Sequence, residues 1–431
     1  MKILFLADNY PPETNAAALR VHERAVHWLK WGHQVTVITS VPNFPEGVVH
    51  EGYRNRWRQE EVIDGIRVIR VKTFIAPNKG VTLRILDFMS YMATSWWAGL
   101  FQGRPDVVVA TSPQFFCAVS GGWLARIKRV PFVFELSDLW PASIRAVGAM
   151  RNRRILKTVE KMELAMYRRA TRIVALTDAF RADLVERGID GGKIDVVRNG
   201  SNHDFLQPGP PDLDLARSLG VEGKFVVAYV GTQGLAHGLL NVLEAAERLR
   251  DEPEVVFLFV GAGATTESLK SAARDRRLTN VVFVDRQPRE RIVDYWRIAD
   301  VSLVHLKNDP VFATVLPSKI FESMAMGLPM IYAGPAGEAS ELIHQHKAGV
   351  VVPPGNPAAL AKAVLELKGD PLRYESLAAA SRAAAPLHTR ETQAEQFIEV
   401  LERVAGIVAV PRHAAIEAGD AEPVTAEAAE R

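Results

Sequence analysis

One stretch of the chain combines residue types and spacings that suit the binding of an anion: Leu316-Pro-Ser-Lys-Ile-Phe-Glu-Ser-Met-Ala-Met-Gly-Leu-Pro-Met-Ile331. Pro317 favours a first helical turn, and the glycine near the end favours a stop, so the pattern predicts a helix of about three turns and then an apolar strand. Free N–H groups at a helix start attract anions, and Ser318 and Lys319 add a hydroxyl and an ammonium there. Glu322, one turn further on, can accept hydrogen bonds from a polyol. Together these groups suit a phosphate and a sugar ring, the two parts of a nucleotide-sugar.

Two other segments carry groups that suit a phosphate. The strand predicted at 225–230 ends in Gly231-Thr-Gln-Gly-Leu-Ala-His-Gly238, whose glycines let the backbone approach an anion at a helix start. Arg286 follows another predicted strand, where a guanidinium can bind a phosphate or stack on a base. We therefore expect the second half of the chain to hold a phosphate-containing ligand.

Composition bounds the class of protein. The chain of 431 residues is long enough for two α/β domains, and its 48% hydrophobic and 24% charged residues are typical of a globular protein. A net charge of +2 gives no reason to expect nucleic acid as a partner. The single cysteine, Cys117, lies in an apolar run, so we expect its thiol to be buried and inert. A single thiol excludes an internal disulfide and is consistent with a reducing cytoplasm. Met1 leads directly into an apolar strand, so we do not expect a signal peptide. The sequence has no stretch of 18 uninterrupted apolar residues, so we do not expect a membrane-spanning helix.

Strand and helix patterns alternate in both halves of the chain, which is typical of doubly wound sheets. The first half predicts about six strands with helices between them and a hairpin at Asp64-Gly65. Its first strand is followed by a long loop, Asp8–Asn15, which at the carboxyl end of a parallel strand is a candidate to line a binding site. The loop contains no G-x-G-x-x-G sequence, which argues against the usual dinucleotide-binding motif. The second half predicts six more strands, at 225–230, 255–260, 281–284, 301–304, 328–331 and 349–352.

Turn formers and composition give the predicted boundaries. They are an N-terminal domain at 1–200, a linker at 201–223, a C-terminal domain at 224–385, a helix at 386–406 that crosses back to the N-terminal domain, and a disordered tail at 407–431. The D-x-D sequence Asp212-Leu-Asp214 lies in this linker, so we do not expect it to bind a metal ion. No metal ion and no cofactor are expected.

Two segments of the first half suit a membrane surface. Residues 81–101 are apolar nearly all round, so they predict either a buried domain helix, which we favour, or a helix in the membrane interface with tryptophans at headgroup depth. Residues 145–172 carry nine basic side chains against Glu160 and Glu163. This excess predicts either a solvated helix face or a patch that meets anionic headgroups or a diphosphate-linked acceptor.

Several motifs stand in order along the chain: Pro11-Pro-Glu13, Gly32-His-Gln-Val-Thr-Val-Ile-Thr39, Pro42-Asn-Phe-Pro45, Asp138-Leu-Trp-Pro141, Arg198-Asn-Gly200, Leu316–Glu322 and Gly327-Leu-Pro329. In this set the chain resembles the large retaining family-4 glycosyltransferases, and within them a branch resembling N-acetyl-L-fucosamine transferases of O-antigen assembly. The resemblance runs from Lys2 to about Val404. It implies an α/β protein of the GT-B fold, with two doubly wound Rossmann-like domains facing a cleft.

The resemblance assigns roles to individual residues. In the family, a paired-glutamate motif grips the donor; its second member corresponds to Glu322, whereas the first falls at Thr314. The basic residues that neutralise the donor diphosphate correspond to Thr232 and His237, so Lys319 and Arg286 are expected to supply that charge. Asp138 is expected to orient the acceptor sugar, with Glu135 as the second candidate. The donor-binding residues predicted in this way are Asn15, Gly231, Thr232, His237, Arg286, Leu316, Ser318, Lys319 and Glu322.

The function expected from this resemblance is metal-independent, retaining transfer of a sugar, of the N-acetylamino type, from a UDP-sugar to a lipid-linked saccharide in surface polysaccharide synthesis. The protein is then expected in the cytoplasm, in peripheral contact with the anionic inner face of the cell membrane. Two alternatives remain at this point. One is a non-catalytic nucleotide-sugar-binding partner, which the departures at Thr314, Thr232 and His237 favour; the other is a sugar-nucleotide epimerase of similar fold.

Overall fold

The computed structural model describes residues 1–44, 47–75, 81–112, 115–139 and 153–408. In these ranges the chain forms the predicted α/β fold with two sheets, one in each half of the sequence. The chain divides into two compact units. The first contains residues 1–134, 169–172 and 394–431, and the second contains residues 135–168 and 173–393.

The first sheet has eight strands, two more than the approximate number predicted. They are β1 (Lys2–Leu6), β2 (Gln34–Ser40), β3 (Arg58–Ile63), β4 (Ile66–Val71), β5 (Val107–Thr111), β6 (Phe132–Leu136), β7 (Arg172–Ala175) and β8 (Ile194–Val196), in the order β3-β4-β2-β1-β5-β6-β7-β8. The helices of this half are α1 (Ala16–Lys30), α2 (Val81–Leu100), α3 (Phe115–Lys128), α4 (Arg153–Arg169) and α5 (Asp178–Glu186). The central strands β1 and β5 are buried almost throughout, as expected for a sheet covered on both faces.

The predicted hairpin is confirmed. Strands β3 and β4 pair antiparallel, with Ile63 opposite Ile66 across the two-residue turn. Asp64 and Gly65 both have positive φ angles, of 47° and 80°. This left-handed pair is the conformation that an Asp-Gly hairpin turn requires.

The second sheet is parallel throughout and has the six predicted strands. They are β9 (Phe225–Val230), β10 (Val255–Val260), β11 (Val281–Val284), β12 (Val301–His305), β13 (Met330–Ala333) and β14 (Gly349–Val352), in the order β11-β10-β9-β12-β13-β14. The helices of this half are α6 (Leu213–Ser218), α7 (Leu240–Arg248), α8 (Thr266–Asp275), α9 (Arg289–Arg297), α10 (Ser318–Met326), α11 (Glu338–His346), α12 (Pro357–Gly369), α13 (Pro371–Ala384) and α14 (Arg390–Ala405). Apolar clusters cover both faces of this sheet.

Helix α10 is the helix predicted from Leu316–Ile331. It begins after Pro317 and ends at Gly327, whose φ of 68° is the left-handed C-cap that glycine favours. The strand that follows begins two residues later than predicted, at Met330. The amide of Leu328 is bound to the carbonyl of Ser323, which keeps the chain in the helix-ending turn.

Two further predictions are modified. The predicted linker contains the short helix α6, which Asp212 caps by accepting a hydrogen bond from the amide of Leu215 at 2.9 Å. Helix α14 belongs to the first unit from Ala394 onward, and the indole of Trp28 donates to the carbonyl of Ala394 at 2.9 Å. The predicted domain boundaries stay a prediction, and residues 409–431 of the predicted disordered tail lie outside the described residues.

The two segments considered for a membrane surface are helix α2 and the basic segment 145–172. Helix α2 is packed on one side, where Tyr91 and Ser95 are buried, but an apolar face that includes Leu86 and Trp97 is exposed. Of the two alternatives, the favoured buried domain helix describes the packed side of α2 but not this exposed apolar face. In the basic segment, residues 145–152 lie outside the described residues, and α4 exposes Lys157 and Lys161. Within the part of the chain that is described, no helix is long and apolar enough to cross a membrane.

Candidate functional site

The strand order of the second sheet creates one position where neighbouring connections leave in opposite directions, between β9 and β12. Ligands of open parallel sheets bind at the carboxyl ends of the strands at such a switch point. The loop after β9 begins at Gly231, and the residues after β12 lead through a short 3₁₀ helix, Pro310–Thr314, into α10. The predicted phosphate-binding segments of the second half therefore converge on one edge of the sheet.

Glycines allow two loops to touch backbone to backbone at this edge. Gly261, directly after β10, has a φ of +126°, and a Cβ atom there would lie 2.3 Å from the carbonyl oxygen of Gly231. A Cβ atom on Gly263 would lie 2.3 Å from the carbonyl oxygen of Gln233. Real Cβ atoms do not come so close, so only glycine fits these positions.

Gln233 is a polar residue of this loop that sequence reasoning did not single out. Its side chain is fully buried, and Nε2 donates to the carbonyl of Gly261 at 3.0 Å. Its amide donates to the carbonyl of Ala262 at 3.1 Å. Within the described ranges the side-chain oxygen Oε1 has no hydrogen-bond partner. The glycines around Gln233 indicate a phosphate-binding loop, but nothing in the sequence indicates that the glutamine, rather than a neighbouring residue, is buried in it.

Lys319 brings a positive charge to the same edge. It is the second residue of α10, and its Nζ atom lies 4.7 Å from the ring centroid of Tyr229, within the range of a cation–π contact. A Cβ atom on Gly231 would be only 2.9 Å from this Nζ, so the ammonium lies against the glycine that ends β9. Burial lowers the pKa of Lys319, and the charge of Glu322, one turn further along α10, opposes that shift. The predicted residues Gly231, Lys319 and Glu322 thus lie in one neighbourhood.

Two histidines lie beside this ammonium. The Nδ1 atom of His305, the last residue of β12, donates to the carbonyl of His237 at 2.5 Å. Burial, and then the charge of Lys319, lower the pKa of His237 to about 3. Burial lowers the pKa of His305 to about 4. Both rings are therefore neutral at neutral pH, so neither histidine adds a positive charge beside Lys319.

The start of α10 places the other predicted residues differently. Ser318 is the first helical residue and is half-buried. Leu316 points its side chain into an apolar cluster with Phe312 and Ile320, so it acts as a core residue in the structure. Thr314 donates its hydroxyl to the carbonyl of Val311 at 2.8 Å.

Thr232 and Arg286 are exposed. The carbonyl of Thr232 accepts the hydroxyl of Tyr229 at 2.6 Å, which fixes the loop next to Gly231. Arg286 lies in the loop after β11, the edge strand that is separated from β9 by β10. Its neighbour Asp285 is ion-paired with Lys270 at 2.7 Å.

Asn15 and Glu13, in the first unit, hold the loop after β1. Asn15 caps α1, since its Oδ1 accepts from the amide of Ala18 at 2.9 Å, while its Nδ2 is buried without a partner among the described residues. Glu13 is buried and accepts from the amides of Asn43 and Phe44 at 2.9 and 2.8 Å. Burial raises the pKa of Glu13, and the two amide hydrogen bonds oppose the shift. The two proline-containing motifs of the first half are thus parts of one hydrogen-bonded structure.

The two predicted acceptor-side carboxylates differ in exposure. Glu135 is the fourth residue of β6 and is completely buried. Asp138 lies two residues beyond the end of that strand and is partly exposed. Residues 140–152, which follow, lie outside the described residues. Across the described ranges, no group of three or more His, Cys, Asp or Glu side chains is arranged to hold a metal ion.

Comparison with protein families decides the class of this protein. Residues 15–200 match the family described as Glycosyl transferase 4-like domain, and residues 214–384 match the family described as Glycosyl transferases group 1. The two matches together account for most of the chain. The chain is therefore a glycosyltransferase that contains a glycosyl transferase 4-like domain and a group 1 domain.

Relatives and solved structures agree with this glycosyltransferase assignment. A protein of Escherichia coli (strain K12) named as a colanic acid biosynthesis glycosyl transferase, WcaI, is 28% identical over 76% of this chain and 82% of its own. WbjE of Pseudomonas aeruginosa, named as a glycosyltransferase, is 25% identical over 61% of this chain and 66% of its own. The crystal structure of Anabaena HepE in complex with UDP-glucose matches with a TM-score of 0.72 at 20% identity, covering 94% of this chain and 100% of that chain. This last likeness shows the fold, which is the GT-B fold predicted from the sequence.

Proposed function

We propose that this glycosyltransferase moves a sugar, of the N-acetylamino type, from a UDP-sugar to a lipid-linked saccharide in cell-surface polysaccharide synthesis. The transfer is proposed to retain the configuration of the sugar and to need no metal ion. The protein would work in the cytoplasm, in peripheral contact with the anionic inner face of the membrane. The names of WcaI and of the HepE complex with UDP-glucose support a polysaccharide product and a UDP-linked donor.

The observation that carries the proposal is the position of Lys319 against Gly231 at the switch point of the second sheet. A diphosphate at this edge would meet the ammonium of Lys319, the first amides of α10 and the backbone of the glycine-rich loop. Fixed positive groups of this kind stabilise a leaving diphosphate without a metal ion. Because His237 and His305 are neutral, Lys319 would supply the charge that the family otherwise places in the loop after the first strand.

Glu322 and Asp138 have separate proposed roles. Glu322 would hold the ribose of the nucleotide, since it lies one helical turn inward from Lys319. Asp138 would orient the acceptor sugar, and it is a better candidate than Glu135 because only Asp138 is partly exposed. Ser318, Thr232, Arg286 and Asn15 remain proposed donor contacts.

The proposed reaction balances without a further reactant. The bond between the anomeric carbon and the diphosphate oxygen breaks, and the acceptor oxygen forms the new bond on the same face of the sugar. The acceptor hydroxyl loses its proton to an oxygen of the leaving phosphate, so the products are the glycoside and UDP. Positioning the two substrates and neutralising the leaving group are the contributions that this chain must make.

The test is calorimetric binding of UDP, GDP, ADP and dTDP to the wild type and to Lys319→Met. Saturable binding of UDP is expected, and the variant should bind it about ten- to a hundredfold more weakly, as for the loss of a hydrogen bond to a charged group. Lys362→Met is the matched control, because Lys362 is an exposed lysine on α12 with only a surface ion pair to Glu366. Release of UDP from a UDP-sugar in the presence of a lipid-linked acceptor then tests transfer. Binding that Lys319→Met leaves unchanged, or no binding of any nucleotide, would contradict the proposal.

A further inference from the structure

Helix α2 exposes an apolar face along its whole length. Four of its exposed side chains lie on this face, three or eight residues apart: Leu83, Leu86, Met89 and Trp97. Phe101, one residue beyond the helix end and four after Trp97, extends the face. Trp97 and Phe101 are 60% and 62% exposed, and their rings contact each other edge to face at 5.2 Å. The charged residues of α2 are Arg84 and Asp87, both near its start; Asp87 lies four residues after Leu83, so it borders this face, and no charged residue follows it in the helix.

Helix α3 widens the apolar face at one end. The hydroxyls of Ser95 and Ser120 are hydrogen-bonded at 2.9 Å, and a Cβ atom on Gly99 would lie 2.4 Å from Leu124. The two helices therefore run side by side in the same direction and lie in close contact. Their last turns expose Trp97 and Phe101 on α2 and Trp123 and Ile127 on α3. We call this set, with Leu83, Leu86 and Met89, the α2–α3 face.

Basic residues outnumber acidic ones around the aromatic end of the α2–α3 face. Arg104, Arg126 and Arg129 are exposed beside its aromatic end. Lys128 is half-buried there and donates to the carbonyls of Leu100 and Gln102 at 3.2 and 2.6 Å, at the end of α2. Asp106 is the only acidic residue between Asp87 and Glu135 in the sequence.

We propose that the α2–α3 face docks on the surface of an anionic lipid bilayer. Exposed Trp and Phe beside Leu and Met suit the boundary between headgroups and acyl chains, and the surrounding arginines attract anionic headgroups. An apolar stripe on a helix of 20 residues is about 30 Å long, which suits a helix that lies in the interface plane. No helix in the described ranges is suited to span the bilayer, so the contact is peripheral.

The orientation of α2 connects this surface with the acceptor. Helix α2 follows β4, which runs parallel to β2, so its first turn lies at the carboxyl edge of the first sheet. Leu83 and Leu86 bring the face to that edge, where the loop after β1 also begins. A bilayer against the face would present a lipid-linked saccharide to this edge. This consequence rests on the proposed function, whereas lipid binding itself does not.

The basic helix α4 is the competing surface. It exposes Arg154, Lys157, Lys161 and Arg168 along one face, but among its side chains that the structure describes Met162 is the only large apolar one that is exposed. Charge alone gives weak and salt-sensitive attachment. The aromatic residues of the α2–α3 face therefore make it the stronger docking site.

Flotation of the full-length protein with vesicles tests the assignment. The wild type should float with vesicles of phosphatidylcholine and phosphatidylglycerol and much less with phosphatidylcholine alone. The double variant Trp97→Gln and Phe101→Gln should lower the bound fraction by about tenfold or more, because two large apolar side chains no longer enter the interface. Trp57→Gln is the matched control, since Trp57 is a 73% exposed tryptophan that lies beside Lys72 outside the face. It should float like the wild type.

A second variant keeps the aromatic residues. Arg126→Gln with Arg129→Gln should weaken binding to the anionic vesicles by about tenfold, while Lys157→Gln with Lys161→Gln should change it little.

Failure of the wild type to float, unchanged flotation of the Trp97/Phe101 variant, or loss of flotation in the α4 variant would overturn the proposal. A dimer in sedimentation that the Trp97/Phe101 variant dissociates, without any flotation, would assign the face to a second copy of the chain. Transfer to a water-soluble acceptor without vesicles is measured in parallel, so that failure of lipid binding and failure of the proposed transfer remain distinguishable.

Discussion

His305 donates its Nδ1 hydrogen to the carbonyl oxygen of His237 across 2.5 Å, and this bond ties the end of β12 to the glycine-rich loop after β9. A second bond acts in parallel, because the amide of Lys307 donates to the carbonyl of Ala236 at 2.8 Å. The acceptor of the first bond is a carbonyl, so Nδ1 of His305 must carry the hydrogen. A buried side chain of β12 thus holds the loop that follows the neighbouring strand β9 and lies beside Lys319.

Removing this histidine should weaken nucleotide binding without removing any group proposed to touch the nucleotide. In His305→Ala the carbonyl of His237 loses its donor, and the affinity for UDP should fall about three- to tenfold, the usual effect of one lost hydrogen bond. His305→Asn keeps an N–H donor and should recover most of the loss. Calorimetry on the three proteins measures the effect.

His344→Ala is the control for that series, because His344 is exposed on α11. It should bind UDP like the wild type. Equal affinity of His305→Ala and the wild type would show that the bond to His237 does not set the loop.

The same histidine should make stability depend on pH. Burial lowers the pKa of His305 to about 4 in the folded protein, against about 6.5 in an unfolded chain. Between these values the unfolded chain binds the proton and the folded chain does not, so stability is full above about pH 6.5 and falls as the pH falls toward 4. Between pH 7 and pH 5 the free energy of unfolding of the wild type should therefore fall by about 2 kcal/mol more than that of His305→Asn. Urea unfolding at the two pH values measures this difference, and parallel pH dependences of the two proteins would contradict it.

Local signals made part of the fold predictable. Pro317 and Gly327 gave the two ends of α10 because a helix start tolerates proline and a left-handed C-cap favours glycine. Asp64-Gly65 gave the hairpin for the same kind of reason, since both residues adopt positive φ at low cost. Such signals act within a few residues and need no knowledge of the packing. The start of β13 was missed by two residues because Leu328 is still held by the helix-ending turn.

Other features depend on packing across long sequence separations. Lys319 lies over Tyr229, which is 90 residues earlier in the chain, and only the strand order β9-β12-β13 brings the two together. The exposed face of α2 could not be derived from its sequence, because apolar residues occur all round the helix and the packing partner α3 selects which of them is covered. The fold class was therefore accessible from periodicity, whereas the burial of Gln233 and Glu135 was not.

Gly261 offers a test of the close contact between the loops after β9 and β10. Two costs oppose alanine at this position: a φ of +126°, which side chains rarely adopt, and a Cβ atom 2.3 Å from the carbonyl oxygen of Gly231. Since this oxygen belongs to backbone, it cannot turn away as a flexible side chain could. Gly261→Ala should therefore push the loop that begins at Gly231 away from its position beside Lys319.

The expected result for Gly261→Ala is a loss of about 2 kcal/mol or more in the free energy of unfolding, together with weaker binding of UDP at temperatures where the variant is folded. Gly369→Ala is the control, because Gly369 ends helix α12, has no atom within 4 Å of a Cβ position and has no left-handed φ. Alanine in a helix there should be neutral or stabilise the protein by up to about 1 kcal/mol, so the two substitutions should have effects of opposite sign. Urea unfolding and calorimetry with UDP measure both variants. If Gly261→Ala is as stable as Gly369→Ala and binds UDP with unchanged affinity, the backbone contact between the two loops does not shape the donor site.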